Sequence, residues 1–113
     1  MNEHRATFPK RARLRKRQDY VRIQREGRRR HTEHFVILVA NGAADRARVG
    51  ITVSARIGNA VLRNRIKRLV REVMRTLRQQ LRPADIVVIA KPGAGIVTHA
   101  AASSEIRRGL LGS

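Results

Sequence analysis

The segment RNRIKR, residues 63–68, places four positive charges within six residues of what reads as a helix from Asn59 to Leu81. Apolar residues recur in this segment at the spacing that is typical of a helix with one buried face. The apolar set is Leu62, Ile66, Leu69, Val70, Val73 and Leu77. The opposite side carries Asn64, Lys67, Arg68, Arg71, Arg75 and Arg78, flanked by Arg63 and Arg65.

Charges of one sign on a helix surface repel one another. Like charges four residues apart destabilise a helix, whereas opposite charges at that spacing stabilise it. Here Glu72 is the only acidic residue, and it offers pairs to Arg68 and Arg75. An ordinary solvated helix face mixes the two signs, so this face predicts a polyanionic partner.

The composition extends that prediction to the whole chain. The 113 residues suggest one domain, 1–113, with residues 1–11 as a flexible basic N-terminal arm. The net charge is +18, and 22 of the 26 cations are Arg, whose planar fork suits phosphate and stacks on bases. Hydrophobic residues still make up 42% of the chain, which indicates a folded domain that binds nucleic acid.

Several other classes of protein are disfavoured. There is no Cys, which excludes disulfides and thiolate sites and fits a cytoplasmic location. No apolar run reaches the length of a membrane span, and the N-terminus resembles no secretory signal. The histidines of HTEH, 31–34, are a weak metal pattern, and KPGAG, 91–95, lacks the residues of a phosphate-binding loop. We therefore expect a binding protein with no catalytic residues, metal ligands or cofactor of its own.

The remaining pattern predicts a mixed α and β fold. A first helix is expected from Ala12 to Glu26, ended by Gly27. Apolar runs at 33–41, 47–55 and 84–92 predict strands, the first two as an antiparallel pair, and 28–32 allows a further short strand. The first run is apolar on both faces, so both faces should be covered. A last helix is expected with Ser103 or Ser104 as its N-cap.

The stretch VGITVSARIGNAVLRNRIKRLVREVMR, 49–75, resembles the RNR motif of the protein component of bacterial ribonuclease P. RLRKRQDYVRIQREG, 13–27, is similar to the first helix of that family, and DIVVIAKP agrees with its last strand. The resemblance implies an α+β fold of the ribosomal-protein-S5-domain-2-like type. This is a two-layer α/β sandwich of order α-β-β-β-α-β-α, with a left-handed β-α-β crossover through the basic helix, an exception to the usual hand.

The resemblance also implies a function. The family supplies the small subunit of a ribonucleoprotein that removes the 5′ leader from precursor tRNA, with the catalytic magnesium ions on the RNA subunit. Its partners are that catalytic RNA and precursor tRNA, with no membrane and no obligate protein partner. The protein is expected to raise substrate affinity and to lower the magnesium requirement.

The matching positions give two sets of site residues. Residues expected to contact the catalytic RNA are Arg56, Asn59, Arg63, Asn64, Arg65, Lys67, Arg68 and Arg71, with Asn59 also a candidate N-cap. Residues expected in a leader cleft between the first helix and the sheet are Arg13, Arg15, Lys16, Arg17, Tyr20, Val36 and Leu38. Gln24 and Leu38 stand where many members carry aromatic residues, and Ala55 replaces a frequent Lys.

Three other functions share some of these features. A small basic ribosomal protein has the same charge and size, and association with ribosomal subunits at high salt would favour it. A DNA-binding protein would place the basic helix in a major groove, although few side chains that read base edges lie on it. An independent nuclease would need an acid–base pair or metal cluster that the sequence does not offer.

Overall fold

The computed structural model describes residues 12–14, 16–42 and 45–112. Within these residues, seven α-helices and strands follow in the expected order of helix, three strands, helix, strand and helix. Their bounds are α1 Arg17–Glu26, β1 Arg28–His31, β2 Phe35–Ala40, β3 Arg48–Thr52, α2 Ala60–Leu77, β4 Asp85–Ala90 and α3 His99–Leu111. The expected N-terminal arm, 1–11, lies outside the described residues. Among the described helices, none combines the length and apolar character needed to cross a membrane.

The four strands form one sheet in the order β1-β2-β4-β3. β2 is antiparallel to both β1 and β4, and β3 is parallel to β4. The predicted antiparallel pair of β2 with β3 is therefore wrong. β2 and β4 are apolar at nearly every position and take the centre, whereas β1 (RRRH) and β3 (RVGIT) carry polar residues and take the edges.

The parallel pair of β3 and β4 requires a crossover, and α2 supplies it, as expected. The left hand of that crossover stays a prediction from the resemblance. α2 and α3 contact each other and pack on one face of the sheet. α1 covers the other face, where Ile23 is fully buried against Val36, Leu38 and Val87. The prediction that both faces of the first apolar strand are covered is confirmed.

Two helix boundaries differ from the prediction. α1 begins at Arg17, not Ala12, because the chain before it runs beside β3: Leu14 donates its backbone N–H to the Val49 carbonyl at 2.9 Å. α3 begins at His99, and its N-cap is Thr98, whose hydroxyl accepts from the Ala101 N–H at 3.1 Å. Ser103 and Ser104 therefore lie inside α3. Gly27 ends α1 as predicted.

A buried carboxylate, Asp85 at the start of β4, connects α1 with the edge strand β3. It is 1% exposed, and Arg48 of β3 binds it through two hydrogen bonds of 2.9 and 2.8 Å. Arg22 of α1 also donates to Asp85 and, at 3.0 Å, to the Asn41 carbonyl. Burial alone would raise the pKa of Asp85, but the hydrogen bonds from Arg48 and Arg22 outweigh it and lower that pKa.

A second buried carboxylate, Glu105 of α3, holds the turn between β1 and β2. Its Oε1 accepts from the Thr32 hydroxyl at 2.7 Å and from the His34 N–H at 2.8 Å, and its Oε2 lies 2.5 Å from His34 Nδ1. Burial alone would raise the pKa of Glu105, but these hydrogen bonds lower it. Glu33, His34 and Glu105 have ligand-type atoms within 4.8 Å of one another. Because hydrogen bonds within the turn already use both Glu105 carboxylate oxygens, the structural role of Glu105 is enough to explain why these three residues lie together.

Candidate nucleic-acid interface

The start of α2 is fixed by local backbone chemistry. Gly58 has a φ of +146°, in the region that favours glycine, and a Cβ there would lie 2.7 Å from Leu62 Cδ1. Asn59 then caps the helix, because its Oδ1 accepts from the Leu62 N–H at 3.0 Å. The predicted cap is confirmed. Arg56 lies exposed in the short turn just before it.

The two sides of α2 separate as the sequence predicts. Its buried residues are Ile66, Leu69, Val70, Val73, Met74 and Leu77, and Leu62 packs partly buried beside them. Packing of this side against β3 and α3 fixes the rotation of the helix. The basic side is consequently presented outward as a rigid surface.

The outward side of α2 carries cations without compensating acids. Asn64, Arg68 and Arg71 are exposed and Lys67 is half-buried. Arg75 donates a 2.5 Å hydrogen bond to Glu72. Among the described residues, Glu72 forms no ion pair with Arg68, the other partner that the sequence offered. Among the described residues, no carboxylate lies within ion-pairing distance of Lys67, Arg68 or Arg71. We call Arg56, Asn64, Lys67, Arg68 and Arg71 the basic face.

Arg63 and Arg65, the two arginines of the RNR triplet, are not part of the basic face. Arg65 points to the loop after β4, where Nη1 donates to the Gly95 carbonyl at 2.9 Å and Nη2 to the Val97 carbonyl at 2.7 Å. Arg63 is half-buried, and its Nε is buried without a hydrogen-bond partner among the described residues. Arg65 thus has a structural role that the sequence did not indicate, because its partners are backbone atoms 30 residues away.

A cleft opens beside the basic face, between α1, the β3 edge and α2. Its volume is about 230 Å³. Tyr20 lies in its wall: the hydroxyl donates to the Leu14 carbonyl at 3.0 Å, and the ring touches Gly50, where no Cβ intervenes. Burial raises the pKa of Tyr20, opposed in part by a hydrogen bond from the Ile51 backbone. The cleft is lined by Arg13, Leu14, Tyr20, Val49, Gly50, Ile51, Lys67 and Arg71.

The other described residues that were predicted for the leader cleft do not line it. Leu38 is fully buried and Val36 is 9% exposed, both beneath α1. α1 covers the Leu38 side chain, so Leu38 does not line the cleft, and its contact with the leader stays a prediction. Lys16 and Arg17 are exposed at the start of α1, close in sequence to Tyr20. Arg15 lies outside the described residues.

The sequence missed four residues that line this cleft: Leu14, which precedes α1, and three residues of β3. Val49, Gly50 and Ile51 belong to β3, and they reach the cleft because β3 is an edge strand. Because the sequence predicted that β3 pairs with β2, it did not indicate that β3 is an edge strand beside the cleft. Lys67 and Arg71, predicted only as contacts for the catalytic RNA, also line the cleft. The basic face and the cleft are thus adjacent and share two cations.

Comparison with known proteins gives a consistent result. Residues 8–112 match the family described as Ribonuclease P. The chain is 43% identical over 101 residues to the ribonuclease P protein component of Syntrophus aciditrophicus, covering 88% of this chain and 85% of that one. It is 48% identical over 92 residues to the protein component of Dictyoglomus thermophilum, covering 80% and 76% of the two chains.

Solved structures show the same fold. A mutant of the Staphylococcus aureus RNase P protein, described as defective in mRNA degradation activity, superposes with a TM-score of 0.84 at 35% identity, covering 88% of this chain and 86% of that one. The RNase P protein from Thermotoga maritima superposes with a TM-score of 0.79 at 33% identity, covering 87% and 94%. With the basic helix, the element order and these matches in agreement, the chain belongs to the ribonuclease P protein component family.

Proposed function

We propose that this chain is the RNA-binding subunit of a ribonuclease P ribonucleoprotein that removes the 5′ leader from precursor tRNA. The observation that carries the proposal is the basic face, a rigid cationic surface on α2 and the turn before it that no carboxylate of the described residues compensates. Such a surface binds a phosphate backbone with release of counterions. In this proposal the basic face binds the catalytic RNA.

The adjacent cleft is proposed to hold the precursor leader. Tyr20 offers an aromatic wall on which a base can stack, and Arg13, Lys67 and Arg71 supply charge for phosphates. Because Lys67 and Arg71 also belong to the basic face, leader and catalytic RNA would approach each other at these two residues. Their charges would reduce the repulsion between the two RNAs, which accounts for a higher substrate affinity and a lower magnesium requirement.

The chemistry is proposed to reside on the RNA subunit, with magnesium ions held there. The described residues at the cleft are cationic, aromatic or apolar, and no carboxylate is among them. These side chains suit binding and positioning of RNA, and none is matched to general acid–base catalysis. The protein therefore contributes affinity and charge neutralisation in this account.

Binding to a bacterial ribonuclease P RNA as a function of salt tests the role of the basic face. Arg56→Ala/Arg68→Ala removes two charges that do not line the cleft, and Arg82→Ala/Arg107→Ala removes two exposed charges elsewhere. We expect the first pair to lower the slope of log affinity against log salt by between about one and two, and the second pair to change it much less. Equal losses from the two pairs would reduce the proposal to non-specific charge attraction.

A further inference from the structure

Strand β1 is rich in arginine, and the proposed function gives these arginines no role. Its four residues are Arg28, Arg29, Arg30 and His31, and all four are exposed. In the part of the chain that the structure describes, β1 lies at the edge of the sheet opposite to β3 and pairs only with β2. Three consecutive arginines therefore occupy a free sheet edge, about three strand spacings, or roughly 14 Å, from the edge that lines the cleft.

The charge of β1 is not neutralised by the residues that the structure describes. Within the described part of the chain, no carboxylate lies within ion-pairing distance of Arg28, Arg29 or Arg30. The carboxylates of Glu72 and Asp85 are engaged by other arginines, and that of Glu105 by the β1–β2 turn. A charged residue protects an edge strand from pairing with other chains. Three arginines in a strand of four residues are more than this protection requires. Their guanidinium groups offer paired N–H donors that suit phosphates.

The register of β1 distributes these arginines over both faces of the sheet. Residues directly opposite each other in an antiparallel pair point to the same face. Arg29 lies opposite Leu38, which packs beneath α1, so Arg29 is on the α1 side. Arg30 lies opposite Ile37, which packs against Gly109 of α3, so Arg30 and its alternate neighbour Arg28 are on the α3 side. The edge is thus cationic from both sides.

The exposed ridge of α1 connects the cleft with this edge. Arg17, Val21 and Arg25 follow one another at four-residue intervals and are all exposed. This ridge is about 12 Å long, starts one turn before Tyr20 and ends just before β1. Arg25 has only a loose contact of 3.7 Å with Glu26, and both side chains are more than half exposed. We call Arg17, Arg25, Arg28, Arg29 and Arg30 the basic track.

We propose that the basic track binds the phosphates of the precursor leader upstream of the nucleotides in the cleft. The inference rests on the proposed function, because it needs a leader in the cleft. A single strand that leaves the cleft over α1 meets Arg17, Arg25 and then Arg29, with Arg28 and Arg30 around the edge. Phosphate contacts position a strand without reading its sequence, so the track responds to leader length and not to leader sequence.

The test compares precursor tRNAs whose leaders are just long enough to fill the cleft with ones extended by about ten nucleotides. The protein is assembled with a bacterial ribonuclease P RNA, and substrate affinity is measured at several salt concentrations. The variant Arg28→Gln/Arg29→Gln/Arg30→Gln is compared with Arg46→Gln/Arg82→Gln/Arg107→Gln, which removes the same charge from other exposed positions. A triple Lys variant at positions 28–30 keeps the charge and removes the forks.

We expect the triple Gln variant of β1 to lose on the order of tenfold in affinity for the long leader, with a salt slope lower by about two, and to bind the short leader as the unchanged protein does. The triple Lys variant should retain most of the affinity. Unchanged thermal stability and a monomeric state would show that the edge still folds and does not self-associate.

Three results would overturn the inference. Wild-type affinity of the β1 variant for both leaders would mean that the track touches no leader. Equal losses on short and long leaders would assign the surface to the RNA subunit, and equal losses from the control triple would assign the effect to net charge. A wild-type protein that improves binding of neither substrate would instead refute the proposed function itself.

Discussion

Arg65 Nη1 donates a hydrogen bond of 2.9 Å to the carbonyl oxygen of Gly95, 30 residues further along the chain. The second nitrogen of the same fork donates to Val97 at 2.7 Å, so one guanidinium holds the loop between β4 and α3 against α2. The RNR motif therefore contains residues with different roles. Arg65 connects the fold, and Arg68 remains exposed on the basic face.

Replacement of Arg65 should accordingly reduce stability as well as RNA binding. We expect Arg65→Ala to lower the free energy of unfolding by about 1–2 kcal/mol, because two charge-assisted hydrogen bonds at a partly exposed site are lost. Arg65→Lys keeps the charge but cannot reproduce the fork, and should lose about half as much. Urea denaturation measures the effect. Arg68→Ala is the matched control, and a loss of stability as large as that of Arg65→Ala would contradict this division of roles.

Asp85 is expected to be the most sensitive carboxylate of the fold. Asp85→Asn leaves Arg48 and Arg22 without their shared negative charge in a largely desolvated position. Breaking such a buried pair costs roughly 3 kcal/mol. Asp45→Asn is the control, since that side chain is 90% exposed and its ion pair with Arg46 is 3.6 Å long. Equal denaturation midpoints for the two variants would show that the Asp85 clamp contributes little.

Stability should also fall in acid. The pKa values of Asp85 and Glu105 are lowered in the folded state, so the unfolded chain binds their protons more readily. Their contribution is present above the unfolded pKa values, about 3.9 and 4.3, and is lost as the pH falls through the lower folded values. Denaturation between pH 6 and pH 2 should show this loss. Glu105→Gln should be less stable at pH 6 and have a flatter profile; a parallel profile would contradict the assignment.

Tyr20 allows packing and leader binding to be separated. Tyr20→Phe removes the hydroxyl that donates to Leu14 and should cost about 1 kcal/mol of stability, with little change in leader affinity. Tyr20→Ala also removes the ring, and should weaken leader binding by about 1–3 kcal/mol, the typical value for one stacked base. Affinities for precursor tRNA and for mature tRNA distinguish the effects. A Tyr20→Ala protein that binds precursor as tightly as the wild type would remove Tyr20 from the leader site.

Local patterns in the sequence predicted much of this structure. The buried side of α2, the Asn59 cap, the end of α1 at Gly27 and the short β1 strand all follow from residues close together in the chain. The failures involve distant partners. Proximity in the sequence predicts that β3 pairs with β2, whereas the need to bury β2 and β4 places these two strands together at the centre and leaves β3 at the edge.

In the site, too, some features follow from local sequence patterns and others depend on distant contacts. Exposure of Arg68 and Arg71 follows from helical periodicity, which a single sequence displays. The covering of Leu38 by α1 and the capture of Gly95 and Val97 by Arg65 depend on how elements pack. The contribution of β3 to the cleft depends on strand order. None of these three features has a local signal, so the composition of the cleft needed the structure.

Cleavage of a precursor tRNA by a bacterial ribonuclease P RNA at low magnesium tests the central claim most directly. The account predicts that the wild-type protein stimulates cleavage and cuts nothing alone. Arg56→Ala/Arg68→Ala should lose most of the stimulation at unchanged thermal stability, and Arg82→Ala/Arg107→Ala should retain it. No stimulation by the wild type with several bacterial RNAs, or cleavage by the protein without RNA, would contradict the claim that this chain assists a catalytic RNA through the basic face.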